Sequence, residues 1–214
     1  MKSKKSFVVS GIFAILTAVL IVLVKNYDVA PIGPMDTTIG FSHINGGFHD
    51  FLGINIIWYK ITEVFGILAL LVCAGFAFMG LIQLIQRKSI VKVDETILKL
   101  GGLYVVVLGL YALFEKVIIN YRPIIMSDAT EPEASFPSSH TMLICVVMGS
   151  TIMVINRYIK NKRLASIMQV ACAIIMIITV VGRLICGVHW FTDIMGGIFI
   201  SITLLAAFFG ILEK

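Results

Sequence analysis

The sequence predicts an all-α, polytopic membrane protein with six transmembrane helices in one bundle. Three observations carry that expectation. The first is composition: 59% of the 214 residues are hydrophobic and 14% are charged, with a mean hydropathy of +1.01. Soluble domains average about 45–50% apolar and about 25% charged, so a chain of this length needs lipid as part of its solvent. The second is that the apolar residues form six runs, each near the ~20 residues that cross a bilayer. The third is that the basic residues alternate from one gap between runs to the next. The length suits a single domain spanning 1–214, with no room for a second folded unit.

The first run, roughly 6–24, follows Lys2, Lys4 and Lys5. It is too long for the apolar region of a secretory signal and has no clear small-residue cleavage site after it, so it reads as a retained first helix that doubles as a signal anchor. The second, roughly 54–85, exceeds what a bilayer requires, and Trp58, Tyr59 and Lys60 give its start the composition of an interfacial belt. The remaining runs are roughly 97–119, 139–156, 164–186 and 191–212. Cys73, Cys145, Cys172 and Cys186 have no paired spacing and read as small apolar packing residues.

Of the 17 Lys and Arg, 12 fall at one set of helix ends: Lys2, Lys4, Lys5, Arg87, Lys88, Lys92, Lys99, Arg157, Lys160, Lys162, Arg163 and Lys214. By the positive-inside rule that face is cytoplasmic, and with six helices both termini lie there. The net charge of +5 therefore reports membrane orientation and does not point to nucleic acid.

Three stretches place polar groups at helix ends on the other, extracytoplasmic face, where ionisable residues are costly and usually functional. Glu115-Lys116 through Asn120-Tyr121-Arg122-Pro123 closes the third helix. Phe136-Pro137-Ser138-Ser139-His140 opens the fourth. Gly182-Arg183 through His189 to Asp193 joins the fifth and sixth. The Pro-Ser-Ser start reads as a helix N-terminus with a serine cap, whose free N–H groups favour phosphate. Arg122 and Arg183 add forked cationic donors. His140 can hand a proton to a leaving oxygen. His189 and Asp193 are four apart; on a helix they share a face, and the carboxylate then fixes the imidazole tautomer and frees the other nitrogen to attack phosphorus.

These stretches resemble the signature of the type-2 phosphatidic acid phosphatase family, whose fold is shared with vanadium haloperoxidases. That signature is Lys, six residues, Arg-Pro; Pro-Ser-Gly-His; and Ser-Arg, five residues, His, three residues, Asp. The third motif matches from Arg183 through His189 to Asp193, and the second at Pro137, Ser138 and His140. The matched core is roughly 115–193. The resemblance implies a metal-free phosphatase without cofactor. In it, His189 forms a phosphohistidine, Asp193 orients it, and His140 protonates the leaving group. Arg122, Arg183, Ser138 and the Ser139 N–H hold the phosphoryl oxygens.

Departures from the signature are Ser139 for Gly, Gly182 for Ser, and Glu115 at the expected lysine position, with Lys116 one residue late. Either the helix ends early before Arg122-Pro123 and Lys116 swings in to the phosphate, the favoured account, or Glu115 faces inward and pairs with Arg122 or Lys116. The acidic linker Asp128, Glu131 and Glu133 reads as a solvated loop or a selective lip. His43 and His49 read as interfacial residues or as the lining of an entrance.

The resulting expectation is a plasma-membrane phosphatase acting at the outer leaflet on a lipid phosphate, with membrane lipids as its surroundings. The first choice of substrate is a polyprenyl diphosphate such as undecaprenyl diphosphate. The second is phosphatidylglycerol phosphate, phosphatidate or a related glycerolipid phosphate. A non-catalytic lipid-phosphate binder or transporter and a phosphotransferase are the rival classes. Oligomeric state is not legible in the sequence.

Overall fold

The computed structural model describes residues 2–127 and 129–213; Asp128 and Lys214, both used above, lie outside them. Among the described residues there are seven α-helices: α1 (Lys2–Asn26), α2 (Ser42–Leu52), α3 (Ile56–Arg87), α4 (Glu95–Lys116), α5 (Ser139–Tyr158), α6 (Lys162–Ile185) and α7 (Phe191–Leu212). All except α2 are long and apolar enough to cross a membrane. The six expected spans are thus present, with ends shifted by a few residues. The largest inward shift is at 117–119, where α4 has already uncoiled at Val117. α2 was not expected, because its sequence, SHINGGFHDFL, reads as a glycine-rich loop.

Local chemistry sets several helix starts. Asn55 accepts from the N–H groups of Ile57 and Trp58, Asp94 from Thr96, and Asn161 from Leu164. At 32 residues α3 is about 48 Å long, well beyond the hydrocarbon thickness. Its first turns pack on α6: a Cβ at Gly182 would lie 3.0 Å from Trp58 Cε3. Trp58 and Tyr59, read from sequence as a membrane belt, are thus partners of α6 beside Arg183.

α5 occupies the centre. Two-thirds (67%) of its most apolar stretch is buried, against 6% for α1. Met142 and Val146 of α5 pack with Leu100, Leu103 and Val107 of α4 and Ile200 of α7, while Ile144, Val147 and Met148 meet Ala69 of α3 and Cys172 of α6. α1 lies along α7, with Ser3 Oγ donating to the Gly210 carbonyl at 2.8 Å and Ser10 Oγ to that of Thr203 at 2.9 Å. The starts of α1 and the end of α7 therefore share one end of the bundle. The ends of α4 and α6 and the starts of α3, α5 and α7 gather at the other.

α2 staples that second end together. Asn45, fully buried, donates to the Gly40 carbonyl at 2.7 Å and to Thr192 Oγ1 at 3.0 Å, and accepts from the Thr192 N–H at 3.1 Å. Gly187, in the turn from α6 to α7, has φ +71°, and a Cβ there would meet the Gly53 carbonyl oxygen at 2.3 Å. Only glycine lets this turn sit against the segment joining α2 to α3. Asn45→Ala leaves a buried carbonyl and N–H without partners, and is expected to cost about 1–3 kcal/mol. Thermal unfolding in detergent checks this; an unchanged midpoint would mean that α2 does not brace the start of α7.

Candidate active site

The segment between α4 and α5 folds back on itself to build one wall of the site. Tyr121 and Ala134 form an antiparallel bridge, Arg122 N–H donates to the Glu133 carbonyl at 3.0 Å, and Ser135 N–H to that of Asn120 at 2.9 Å. Trp190 Nε1 donates to the Tyr121 carbonyl at 2.6 Å, tying this arm to the turn before α7. The arm brings Asn120, Arg122 and Ser135 to the buried start of α7.

Asp193 is 0% exposed. Its carboxylate accepts from Trp190 N–H at 2.9 Å, from Ser135 Oγ at 2.5 Å and, at the long distance of 3.4 Å, from Asn120 Nδ2. The direct His189–Asp193 hydrogen bond expected from the spacing is not formed. Helix α7 begins at Phe191, so His189 precedes it, and His189 Nδ1 stands 3.8 Å from Asp193 Oδ2, beyond hydrogen-bonding range. Ser135 Oγ bridges the gap, 3.1 Å from His189 Nδ1. Because that hydroxyl gives its proton to the carboxylate, its oxygen accepts the Nδ1–H. The imidazole is therefore oriented through a serine, and its other nitrogen, Nε2, is buried with no hydrogen-bond partner among the described residues.

His189 lines a cavity of about 20 Å³ together with Arg122, Ser135, Ser139, Glu115 and Tyr111. Burial holds the His189 imidazole well below its ordinary pKa, and the nearby Arg122 and Arg183 add to the effect. It is a neutral base with an available lone pair. The amides of Ser139, His140 and Thr141 open α5 without intrahelical acceptors. Ser138 occupies the cap position, but its side chain makes no capping bond. It is fully buried, its hydroxyl accepts from Thr141 Oγ1 at 3.0 Å, and its N–H donates to the Asp193 carbonyl at 3.0 Å. Ser138 thus ties α5 to α7, and Ser139 is the serine that lines the cavity.

The first motif differs from the favoured expectation. α4 does end early, at Lys116, but Lys116 is itself its last helical residue, so it remains turned by about 100° from residue 115 and does not swing in. Glu115 lines the cavity; Lys116 is exposed and is not among the lining residues. Nor does Glu115 take Arg122, whose Nε lies 3.2 Å from Glu133 Oε2. Glu133, read from sequence as part of a solvated linker or lip, is an ion-pair partner in the site wall. Pro123 lies beyond Arg122 without lining the cavity.

Neither His140 nor Arg183 is among the residues lining that cavity. Arg183 is 1% exposed. Its Nη2 approaches His140 Nδ1 at 2.5 Å and Glu63 Oε1 at 3.2 Å, and its Nη1 donates to Thr62 Oγ1 at 3.2 Å. His140 borders a larger, mainly apolar groove of about 390 Å³ between α3, α4 and α5. Tyr111, Ser139 and Met142 line both spaces, so groove and cavity share a wall. His43 is exposed and paired with Asp28, and His49 packs near Trp190; neither lines the cavity or this groove. Sequence reasoning missed Ser135, Glu133 as a partner of Arg122, and Glu63. The first two flank a motif, but nothing in the sequence marked Glu63.

The sequence profile of the PAP2 superfamily matches residues 68–214. Among solved structures, the fold is similar to that of a transmembrane PAP2-type phosphatidylglycerolphosphate phosphatase from Bacillus subtilis. The TM-score is 0.65 and the identity 15%, over 95% of this chain and 94% of that one. No curated protein matches the chain in sequence.

The lowered pKa of His189 has a consequence for stability. Between the folded value and the ordinary 6.5, only the unfolded chain takes up the proton. Stability from the neutral imidazole is thus complete above pH 6.5 and is lost as pH falls below it. The unfolding midpoint of the wild type is expected to drop further than that of His189→Asn between about pH 7 and about pH 5. Parallel curves would show that His189 titrates alike in both states.

Proposed function

The chain belongs to the PAP2 superfamily, and from that premise we propose that it is a membrane lipid phosphatase working through a phosphohistidine. The observation that carries this reading is the partnerless Nε2 of His189, buried in a cavity that Arg122 and the start of α5 also border. A phosphoryl group there meets a nucleophile and donors to its oxygens together. Asp193, through Ser135, holds the proton on Nδ1 and steadies the imidazolium that forms on attack. His140 supplies the proton to the leaving oxygen.

The adjoining groove supports a substrate with an apolar tail. Its lining of Gly66, Ile67, Leu70, Val107, Leu108 and Leu143 offers hydrocarbon contact beside the catalytic groups. We place the site at the outer leaflet of the plasma membrane and both termini in the cytoplasm, on the distribution of Lys and Arg. The preferred substrate is a polyprenyl diphosphate such as undecaprenyl diphosphate. Phosphatidylglycerol phosphate is the second candidate, supported by the named activity of the similar Bacillus subtilis structure.

Phosphate release by purified protein in detergent, from each lipid and with a chelator present, tests this reading. Release that survives the chelator and is abolished in His189→Ala is the expected result, and the faster lipid is the substrate. No release by the wild type but strong release by Glu115→Lys would mark the chain as a lipid-phosphate binder instead. Phosphate appearing on an added acceptor, and not in solution, would make it a phosphotransferase. Ser135→Ala breaks the relay to Asp193 and is expected to lower kcat about 10²-fold or more with little change in KM. A KM effect alone would remove Ser135 from the relay.

A further inference from the structure

A second carboxylate stands beside the second histidine. Tyr59, Thr62, Glu63 and Gly66 follow i, i+3, i+4, i+7 spacing and share one face of α3. Each meets Arg183 or His140. The Arg183 guanidinium lies 5.2 Å from the Tyr59 ring centroid, and Thr62 Oγ1 accepts from its Nη1 at 3.2 Å. Glu63 Oε1 lies 3.2 Å from Arg183 Nη2 and 3.1 Å from His140 Nε2. At Gly66 a Cβ would come within 2.9 Å of His140 Nε2, so the missing side chain is what lets the imidazole lie against α3.

These contacts assign the His140 tautomer. A guanidinium can only donate, so His140 Nδ1 accepts from Arg183 Nη2 at 2.5 Å. The ring proton is then on Nε2 and is donated to Glu63. His140 is held as His189 is: one nitrogen is committed to a carboxylate, here directly, and the other is turned towards the phosphate-binding groups.

Building on the phosphatase reading above, we propose that Glu63 is the positioning carboxylate of His140. It retains the Nε2–H, so that Nδ1 is the nitrogen that exchanges a proton with the substrate. When phosphoryl oxygens take the Arg183 N–H groups, Nδ1 is released and binds a proton from solvent. The imidazolium so formed is paired with Glu63. The His189 Nε2 lone pair then forms the N–P bond. The P–O bond to the lipid breaks with its electrons on oxygen, and the Nδ1 proton moves to that oxygen. The lipid leaves as an alcohol or, from a diphosphate, as a monophosphate. In the second half, His140 Nδ1 takes a proton from water as the water oxygen displaces His189 from phosphorus, which restores the imidazolium.

The test compares two substrates that share one alkyl chain: an alkyl phosphate, whose alkoxide must be protonated to leave, and an alkyl-substituted nitrophenyl phosphate, whose phenolate leaves unaided. Glu63→Gln keeps the shape and removes the charge. Its kcat is expected to fall about 10²-fold on the alkyl ester and less than about threefold on the aryl ester. His140→Asn should give the same split, and the double variant should lose no more than His140→Asn alone. Equal losses on both esters, no loss on the alkyl ester, or additive losses would overturn the role of Glu63. If Glu63→Gln cannot be purified folded, Gly66→Ala, which displaces the same ring, must show the split. His189→Ala separates the two readings. Continued turnover of both esters by that variant would sink the phosphohistidine mechanism itself. Loss of both leaves the leaving-group comparison to judge Glu63 alone.

Discussion

The arrangement of the site end depends on one buried polar group, the carboxyl of Asp193. A carboxyl group taken out of water costs free energy unless hydrogen bonds replace its hydration. Asp193 meets that cost by gathering donors from separate pieces of chain: its own helix start at Trp190, Ser135 before α5, and Asn120 after α4. Its backbone carbonyl also takes the Ser138 N–H. Satisfying one residue therefore closes the arm between α4 and α5 over the start of α7 and sets the position of His189. Because Ser135 lies between the two, the imidazole and the carboxylate need not touch.

The same logic runs through the cations. Neither arginine stands alone: Glu133 faces Arg122, and Glu63 with Thr62 and the Tyr59 ring faces Arg183. Each carboxylate holds its arginine in place by charge-assisted contact. Glu115 lines the cavity wall, where the resemblance leads one to expect a lysine. The negative charge on that wall sets this chain apart from the signature more than any other feature of the site.

Much of the fold is legible in the sequence. The six spans are summed properties of apolar runs about twenty residues long, and they emerge with only their ends adjusted. The motif residues Arg122, Ser139, His140, Arg183, His189 and Asp193 do converge at one end of the bundle. Two local arguments failed for identifiable reasons. The four-residue spacing of His189 and Asp193 assumed a helix that starts two residues later, at Phe191. The early end of α4 ahead of the proline at 123 is present, but it falls just after Lys116, which keeps its helical rotation and cannot swing inward.

By itself, the sequence determined the membrane class, the number of spans and the main histidine motifs, because hydropathy and motif spacing are local along the chain. Tertiary structure alone decided which residues complete the site: Ser135 between His189 and Asp193, Glu133 on Arg122, Glu63 on His140 and Arg183, and α2 braced through Asn45. These pairings depend on how each helix is rotated about its axis. In a soluble helix, a polar stripe reveals that rotation. In lipid, the faces turned to the membrane and to neighbouring helices are both apolar, so the face of α3 that carries Glu63 is recognisable only once Arg183 and His140 are seen against it.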